Sequence, residues 1–272
     1  MDSNASTPAA LLSVPALVAA AWQNAVRAAI PALPWMALLA LAGGFYRWTL
    51  ATGTGGTMLI LGALTCVFIA GVLASLATYR AMIPGARGSF MALAHANLAI
   101  YLAFFFVSFF VFFFVGAFGV LMLQQSGLVD LAAEGADRQV QSALGAMMAT
   151  PYGMALAAVY AAGLTGLCLL ALRLLLCGAA TVQTGRVMVF RTWGWTKGRA
   201  LGLGLASLFT HVIPFLIGTF ANLVLIHALG NGEPAIFFTG ITGFALQVPF
   251  LLAGHGLAVA ALPAQPVSAD VA

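Results

Sequence analysis

The chain has 272 residues, of which 63% are hydrophobic and only 6% are charged, and its mean hydropathy is +1.07. Soluble proteins carry roughly 25% charged residues, so this composition excludes a water-soluble globule and predicts an all-α polytopic membrane protein. The formal net charge of +4 does not indicate nucleic-acid binding, because the basic residues flank apolar segments instead of forming a track along phosphates.

The N-terminal residues precede the first apolar stretch of full membrane length. Residues 1–10 are predicted to form a polar, disordered tail, and residues 11–30 an amphipathic helix that is closed by Pro31 and Pro34. A helix of this composition is typical of the membrane surface just before a first span. A simple lead-in helix in the cytosol is the alternative interpretation.

Six apolar stretches approach or exceed the roughly 20 residues that cross a bilayer. They are predicted at 34–51, 57–79, 97–122, 152–176, 200–226 and 235–261. Basic segments before the first, third and fifth spans predict interfacial amphipathic helices beside these six transmembrane helices. The prediction is therefore one six-span membrane domain over residues 11–262 and a disordered tail over 263–272.

Two of the predicted elements have a distinctive composition. The third span carries nine phenylalanines between Phe104 and Phe118, and such bulk around a helix favours contact with lipid over close helix packing. The loop 124–150 has helical spacing of its apolar residues, which predicts a short helix over the outer ends of the spans. The Gly-rich segment 230–234 predicts a tight turn between the last two spans.

The segment 173–199 contains five of the ten basic residues, two tryptophans and no acidic residue. Basic residues interleaved with tryptophan between two spans are typical of a cytoplasmic loop at the headgroup layer. Placing both termini and this loop in the cytoplasm, with 124–150 outside, satisfies the positive-inside rule. The predicted headgroup-binding residues are Arg80, Arg87, Arg173, Arg186, Arg191, Trp193, Trp195, Lys197 and Arg199.

The same segment carries a resemblance to a known family. It opens with Arg173 after an apolar helix and closes with the run Thr-Trp-Gly-Trp-Thr-Lys-Gly at 192–198. This arrangement resembles the YciC-type six-helix family and the membrane domain that precedes some bacterial glycerophosphodiester phosphodiesterases. The resemblance implies a bacterial inner-membrane protein of undefined role. The phosphodiesterase catalytic domain is absent from this sequence, so the resemblance implies no hydrolase activity.

The chain has no recognisable catalytic motif and no cysteine or histidine spacing of a metal site, which predicts a non-enzymatic protein without cofactor or metal. The leading hypothesis is that its basic face binds anionic membrane lipid or another membrane protein. The simpler alternative is that these charges only set the topology. A small-molecule transporter or channel is the second functional hypothesis.

The fifth and sixth spans each place small and polar residues on one face, a pattern that indicates helix–helix contact. These residues are Gly204, Ser207, His211, Gly218 and Asn222 on the fifth span, and Gly240, Gly243, Gln247 and Gly254 on the sixth. We predict that the two helices are antiparallel neighbours whose polar faces point into the bundle, either toward each other or toward other helices. Gln247 is the first candidate for the polar partner of His211. His211, Asn222 and Gln247 are the predicted intramembrane polar residues, with either a packing or a functional role.

Overall fold

A computed structural model describes residues 13–129, 136–230 and 232–263, and its regular elements over these ranges are all helical. The helices are α1 Val14–Thr52, α2 Gly56–Met82, α3 Phe90–Gln125, α4 Ala136–Met147, α5 Pro151–Leu174, α6 Cys177–Thr184, α7 Thr192–Trp195, α8 Ala200–Ser207, α9 Ile213–Leu229, α10 Glu233–Leu246 and α11 Val248–Ala260. A single π-helical turn, Leu208–Val212, joins α8 to α9.

The described residues form six helical segments that are long and apolar enough to cross a membrane. They are Val14–Thr52, Gly56–Met82, Phe90–Gln125, Pro151–Thr184, Ala200–Leu229 and Glu233–Ala260. The predicted all-α polytopic class is confirmed, and each of the six segments overlaps one predicted span. The fourth segment includes α6, and the fifth and sixth segments each consist of two helices in series.

The chain divides into two compact units, one formed by Met1–Leu98 with Leu172–Ala272 and the other by Ala99–Ala171. The predicted membrane domain over residues 11–262 stays a prediction, since nothing in the fold tests its independence as one domain. The predicted tail 1–10 and almost all of the tail 263–272 lie outside the described residues.

Helix α1 is the centre of the first unit, and it is longer than predicted. It runs for 39 residues through Pro31 and Pro34, so the predicted helix boundary at these prolines is wrong. Both proline rings lie on the exposed side, while the opposite side buries a row of small residues against α2, α8 and α11. This row consists of Leu17, Ala21, Ala25, Ala28 and Ala32. The helix thus continues through both prolines, with their rings turned away from the packed side.

Glycines allow α1 to approach α10 and α11 closely. A methyl group on Gly240 would lie 2.8 Å from the Cα of Gly44, and one on Gly256 would overlap the carbonyl oxygen of Ala21. The Nδ2 of Asn24 also donates to the carbonyl of Gly256 over 3.4 Å. Helix α1 therefore lies antiparallel to α10 and α11 in near-backbone contact, which is the role of small residues between membrane helices.

The second unit contains most of α3 and α5 together with α4. Helix α4 confirms the short helix that was predicted in the loop 124–150, and it covers the end of α3 through Leu123, Val129, Ala143 and Met147. The phenylalanine side chains of α3 are largely exposed, with more than half of the surface of Phe105, Phe109 and Phe113 accessible. This exposure agrees with the expectation that the third span presents its rings to lipid.

Candidate lipid-headgroup face

The seven basic residues of the predicted face lie at one end of the first unit, where α2, α5 and α11 end and α8 begins. We call this region the basic end; it consists of Arg80, Arg87, Arg173, Arg186, Arg191, Lys197 and Arg199. The turn after α2 is joined to α6 here, because the backbone N–H groups of Arg87 and Gly88 both donate to the carbonyl of Val182, over 3.0 and 2.8 Å. A methyl group on Gly88 would lie 2.5 Å from the Cα of Val182, so only glycine fits this contact.

The first part of the predicted loop is a buried helix. Residues 177–182 of α6 are all buried in the first unit, although the sequence pattern placed the whole segment 173–199 at the headgroup layer. After α6 the chain folds back against it, and polar contacts form a seam between the two segments. Cys177 Sγ lies 3.1 Å from Thr192 Oγ1, and the N–H of Met188 donates to Thr181 Oγ1 over 3.2 Å. Only the residues after 184 form an exposed surface, and this seam anchors them.

Three of the predicted binding residues act first as structural arginines. Arg80 donates to the carbonyl of Gly88 over 3.0 Å, and Arg199 donates to the carbonyl of Ala261 over 3.2 Å. Arg173 donates through one nitrogen to the carbonyl of Trp193 and to Thr196 Oγ1, each over 3.1 Å. Backbone carbonyls at helix ends and in turns otherwise lack partners. These arginines therefore link neighbouring helices and turns at the basic end.

The other four cationic side chains are free to meet a ligand. Arg87, Arg186, Arg191 and Lys197 are exposed, and within the described ranges their side chains form no hydrogen bond or ion pair. Of the six acidic residues, only Glu233 has a described side chain, and it lies at the start of α10, the opposite end of the first unit. The described part of the basic end therefore carries positive charge that no carboxylate neutralises.

Apolar side chains project between these cations. Phe190 is 82% exposed beside Arg191, and Val187 is 48% exposed beside Arg186. Trp193 is 43% exposed, whereas Trp195 is half-buried against the cluster around Leu203. Exposed aromatic and aliphatic groups among basic residues suit the boundary between headgroups and acyl chains. Sequence analysis did not single out Phe190, although its position between two arginines could have indicated it.

The predicted polar faces of the fifth and sixth spans meet in part, because Gly204 lies against Leu172 and Gly240 against Gly44 of α1. A methyl group on Gly243 would lie 2.9 Å from Asn222 Nδ2, one on Gly254 would lie 2.5 Å from His211 Nε2, and one on Gly218 would lie 3.0 Å from Gln247 Nε2. In each pair the two residues are equally far in sequence from the turn at 230–234. The antiparallel pairing of these helices is therefore confirmed, and each polar side chain packs against a glycine.

The predicted partner of His211 is wrong. Its Nδ1 lies 3.0 Å from Thr210 Oγ1, and its ring stands edge-on to Phe250 with 5.6 Å between centroids. Gln247 instead donates to Thr219 Oγ1 over 3.2 Å and leaves its buried Oε1 without a partner among the described residues. In this register His211 faces Gly254, which lies seven residues, or about 10 Å along the helix, from Gln247.

No family model, curated protein or solved structure matches this chain. The fold itself defines the class: an all-α, multi-pass membrane protein with six candidate spans among its described residues. The resemblance to the YciC-type family stays a prediction.

Proposed function

We propose that this chain is a non-enzymatic bacterial inner-membrane protein that binds anionic lipid headgroups through its basic end, with both termini in the cytoplasm. The observation that carries the proposal is a set of four exposed cations that have no carboxylate partner among the described residues, next to the exposed ring of Phe190. These cations are Arg87, Arg186, Arg191 and Lys197. Cations of this kind attract phosphate, and the ring has access to the acyl region below it.

The anchoring of the exposed segment supports binding over a purely topological role. Arg173 and the Cys177–Thr192 contact hold residues 185–199 against buried helices. Because the backbone is already ordered, a bound headgroup does not need to immobilise a flexible loop, and less conformational entropy is lost on binding. A segment that served only to orient the spans would need the charges but not this fixed geometry.

The packing of the polar residues in the fifth and sixth spans favours lipid binding over transport. His211, Asn222 and Gln247 each contact a glycine of the neighbouring helix. Side chains in this position hold two helices together, which is a common use of polar groups in membranes. This arrangement supports the proposal over the hypothesis of a small-molecule transporter or channel.

Lipid retention tests the proposal. The full chain is reconstituted in nanodiscs that contain phosphatidylglycerol and phosphatidylcholine, extracted, and examined by native mass spectrometry for bound lipid. Each basic residue contributes about 1 kcal/mol near an anionic surface, so the triple variant Arg186→Gln, Arg191→Gln and Lys197→Gln should bind phosphatidylglycerol on the order of 100-fold more weakly.

Two controls make this result interpretable. The double variant Arg186→Lys and Arg191→Lys keeps the charge and should retain phosphatidylglycerol. Arg47→Gln removes a cation at the opposite end of α1 and should have no effect on this retention. Unchanged phosphatidylglycerol binding by the triple variant, in protein that inserts normally, would show that the charges only orient the spans.

A further inference from the structure

The end of the first unit opposite the basic end contains an aromatic pocket. It has a volume of 420 Å³ and is lined by Phe45, Trp48, Glu233, Pro234 and Phe237. Two of these residues belong to the last turns of α1, and three belong to the first turns of α10. The pocket is open toward the surface rather than enclosed, so it suits a small group that enters from outside.

The close crossing of α1 and α10 fixes the walls of this pocket. A methyl group on Gly44 would lie 3.1 Å from the carbonyl oxygen of Phe237, so the two backbones approach directly beside the pocket. Phe45 and Trp48 lie one helical turn apart, and their rings are stacked with 6.0 Å between centroids and 26° between planes. The two rings thus form one continuous aromatic wall on a rigid scaffold.

Glu233 supplies a negative charge at the rim of this wall. It is exposed, and within the described residues its carboxylate forms no ion pair. The nearest basic residue on α1, Arg47, lies along Gly240, where a methyl group would be 3.2 Å from the arginine Cδ. Gly240 lies seven residues beyond Glu233, which is about 10 Å along α10, and no ion pair joins Arg47 to Glu233 among the described residues.

We propose that this pocket binds an alkylammonium group. The faces of aromatic rings attract cations, and Trp gives the strongest attraction. A carboxylate at the rim adds a counter-charge and disfavours anions. The pocket combines both features with an apolar lining that suits the methyl or methylene groups of an alkylammonium. The group is either a free choline-like cation or the ammonium of a zwitterionic phospholipid headgroup.

Two probes of the same shape distinguish recognition of charge from simple apolar filling. Choline and its uncharged isostere 3,3-dimethyl-1-butanol are titrated into the purified full chain, and binding is measured by calorimetry. We expect choline to bind and the alcohol to bind more weakly. Equal binding of the two probes would overturn the proposal, because an apolar hollow would then account for it.

Variants of the pocket assign the binding to its residues. Glu233→Gln and Trp48→Leu should each weaken choline binding by roughly 2- to 30-fold, the range expected for a cation–aromatic or single-charge contribution. Trp48→Phe keeps an aromatic ring that attracts cations more weakly, so its affinity for choline should lie between those of the wild type and Trp48→Leu. This variant tests the ring even if Trp48→Leu perturbs the fold. Phe238→Leu is the matched control, since this exposed ring is the neighbour of Phe237 but does not line the pocket.

Lipid retention separates the two sources of the ammonium group. Nanodiscs with phosphatidylethanolamine or phosphatidylcholine are compared with nanodiscs of phosphatidylglycerol. If the protein retains the ammonium lipids and Glu233→Gln loses them, the ligand is the lipid headgroup. If the protein binds choline but does not retain these lipids, the ligand is a free cation. Failure of both choline binding and Glu233-dependent retention would overturn the proposal, and neither result depends on the basic end.

Discussion

The helix crossings along α1 in the first unit and the face of α3 in the second unit differ in how closely they are packed. In the first unit α1 meets α10 and α11 at glycines, with backbone against backbone and a row of buried alanines along α1. In the second unit α3 carries large exposed rings, and its 18-residue apolar window has no buried residue. Because lipid is as apolar as a side chain, close fit rather than hydrophobicity holds membrane helices together. The glycine contacts along α1 should therefore be sensitive to added volume, whereas the exposed face of α3 and the open glycines of the second unit should not.

The largest expected effect follows from filling a glycine contact in the first unit. Gly256→Leu places a side chain on the carbonyl oxygen of Ala21, which belongs to a helix backbone and cannot move aside. Overpacking of this kind costs about 3 kcal/mol or more, so the variant should unfold at a clearly lower temperature in detergent. Gly166→Leu in the second unit is the control, since its position opens to free space. Equal thermal stability of the two variants would contradict the comparison.

A smaller effect is expected where a side chain, rather than a helix crossing, holds the first unit together. Arg173→Gln removes the donor to the carbonyl of Trp193 and to Thr196 Oγ1. Hydrogen bonds from charged groups contribute about 1.5–3 kcal/mol, and we expect about 1–2 kcal/mol at this half-buried position.

Limited trypsin digestion measures this change, because Arg186, Arg191 and Lys197 are exposed cleavage sites. The segment 185–199 should be cut faster in Arg173→Gln than in the wild type. Arg191→Gln, which removes one cleavage site without removing a structural contact, should leave cutting at Arg186 and Lys197 unchanged. Equal cleavage rates in Arg173→Gln and wild type would show that this arginine does not anchor the segment.

Gln247→Leu should change stability by less than about 1 kcal/mol. The substitution removes the hydrogen bond to Thr219 Oγ1 and the longer one to the carbonyl of Phe215, and such bonds average only about 0.6 kcal/mol within membranes. It also removes the buried Oε1 that lacks a partner, and this gain offsets part of the loss. Chemical unfolding in mixed micelles measures the difference. A loss of several kcal/mol would indicate that Gln247 Oε1 has a bound partner.

The smallest effect is expected on the aromatic face of α3. Phe109 and Phe113 stack on each other with 6.2 Å between ring centroids, yet both are more than half exposed. The double variant Phe109→Leu and Phe113→Leu replaces rings by side chains that lipid solvates equally well, so stability should change by less than about 0.5 kcal/mol. A larger loss of thermal stability would show that this face is covered by protein in the membrane.

Features that depend on local composition could be predicted, and features that depend on packing could not. The six spans follow from hydropathy, and the contact between Asn222 and Gly243 follows from small and polar residues on one helical face. The continuity of α1 through Pro31 could not be predicted, because proline usually ends a helix and the packing of the opposite side of α1 against distant helices is not visible in the local sequence. The burial of α6 was missed for a similar reason, since only the fit of Gly88 onto Val182 reveals it.

The candidate site was predicted unevenly. Arg186, Arg191 and Lys197 were identified correctly as exposed cations, because charge pattern and exposure are closely linked in a membrane loop. The structural use of Arg173 and Arg199 depends on carbonyl groups that are distant in sequence, so spacing alone could not separate them from the exposed cations. The prediction that Gln247 is the partner of His211 failed because it was based on polarity. On neighbouring antiparallel helices, a residue faces the residue at the same distance from the connecting turn, and for His211 that residue is Gly254.

The length of α1 has a consequence for the bilayer around this protein. Its 39 residues span about 58 Å at 1.5 Å per residue, against a hydrocarbon thickness of about 30 Å. A lone helix reduces such hydrophobic mismatch by tilting, but the contacts of Gly44 and Ala21 with the glycines of α10 and α11 prevent α1 from tilting independently. Tilting of α1 in the bilayer therefore requires α10 and α11 to tilt with it.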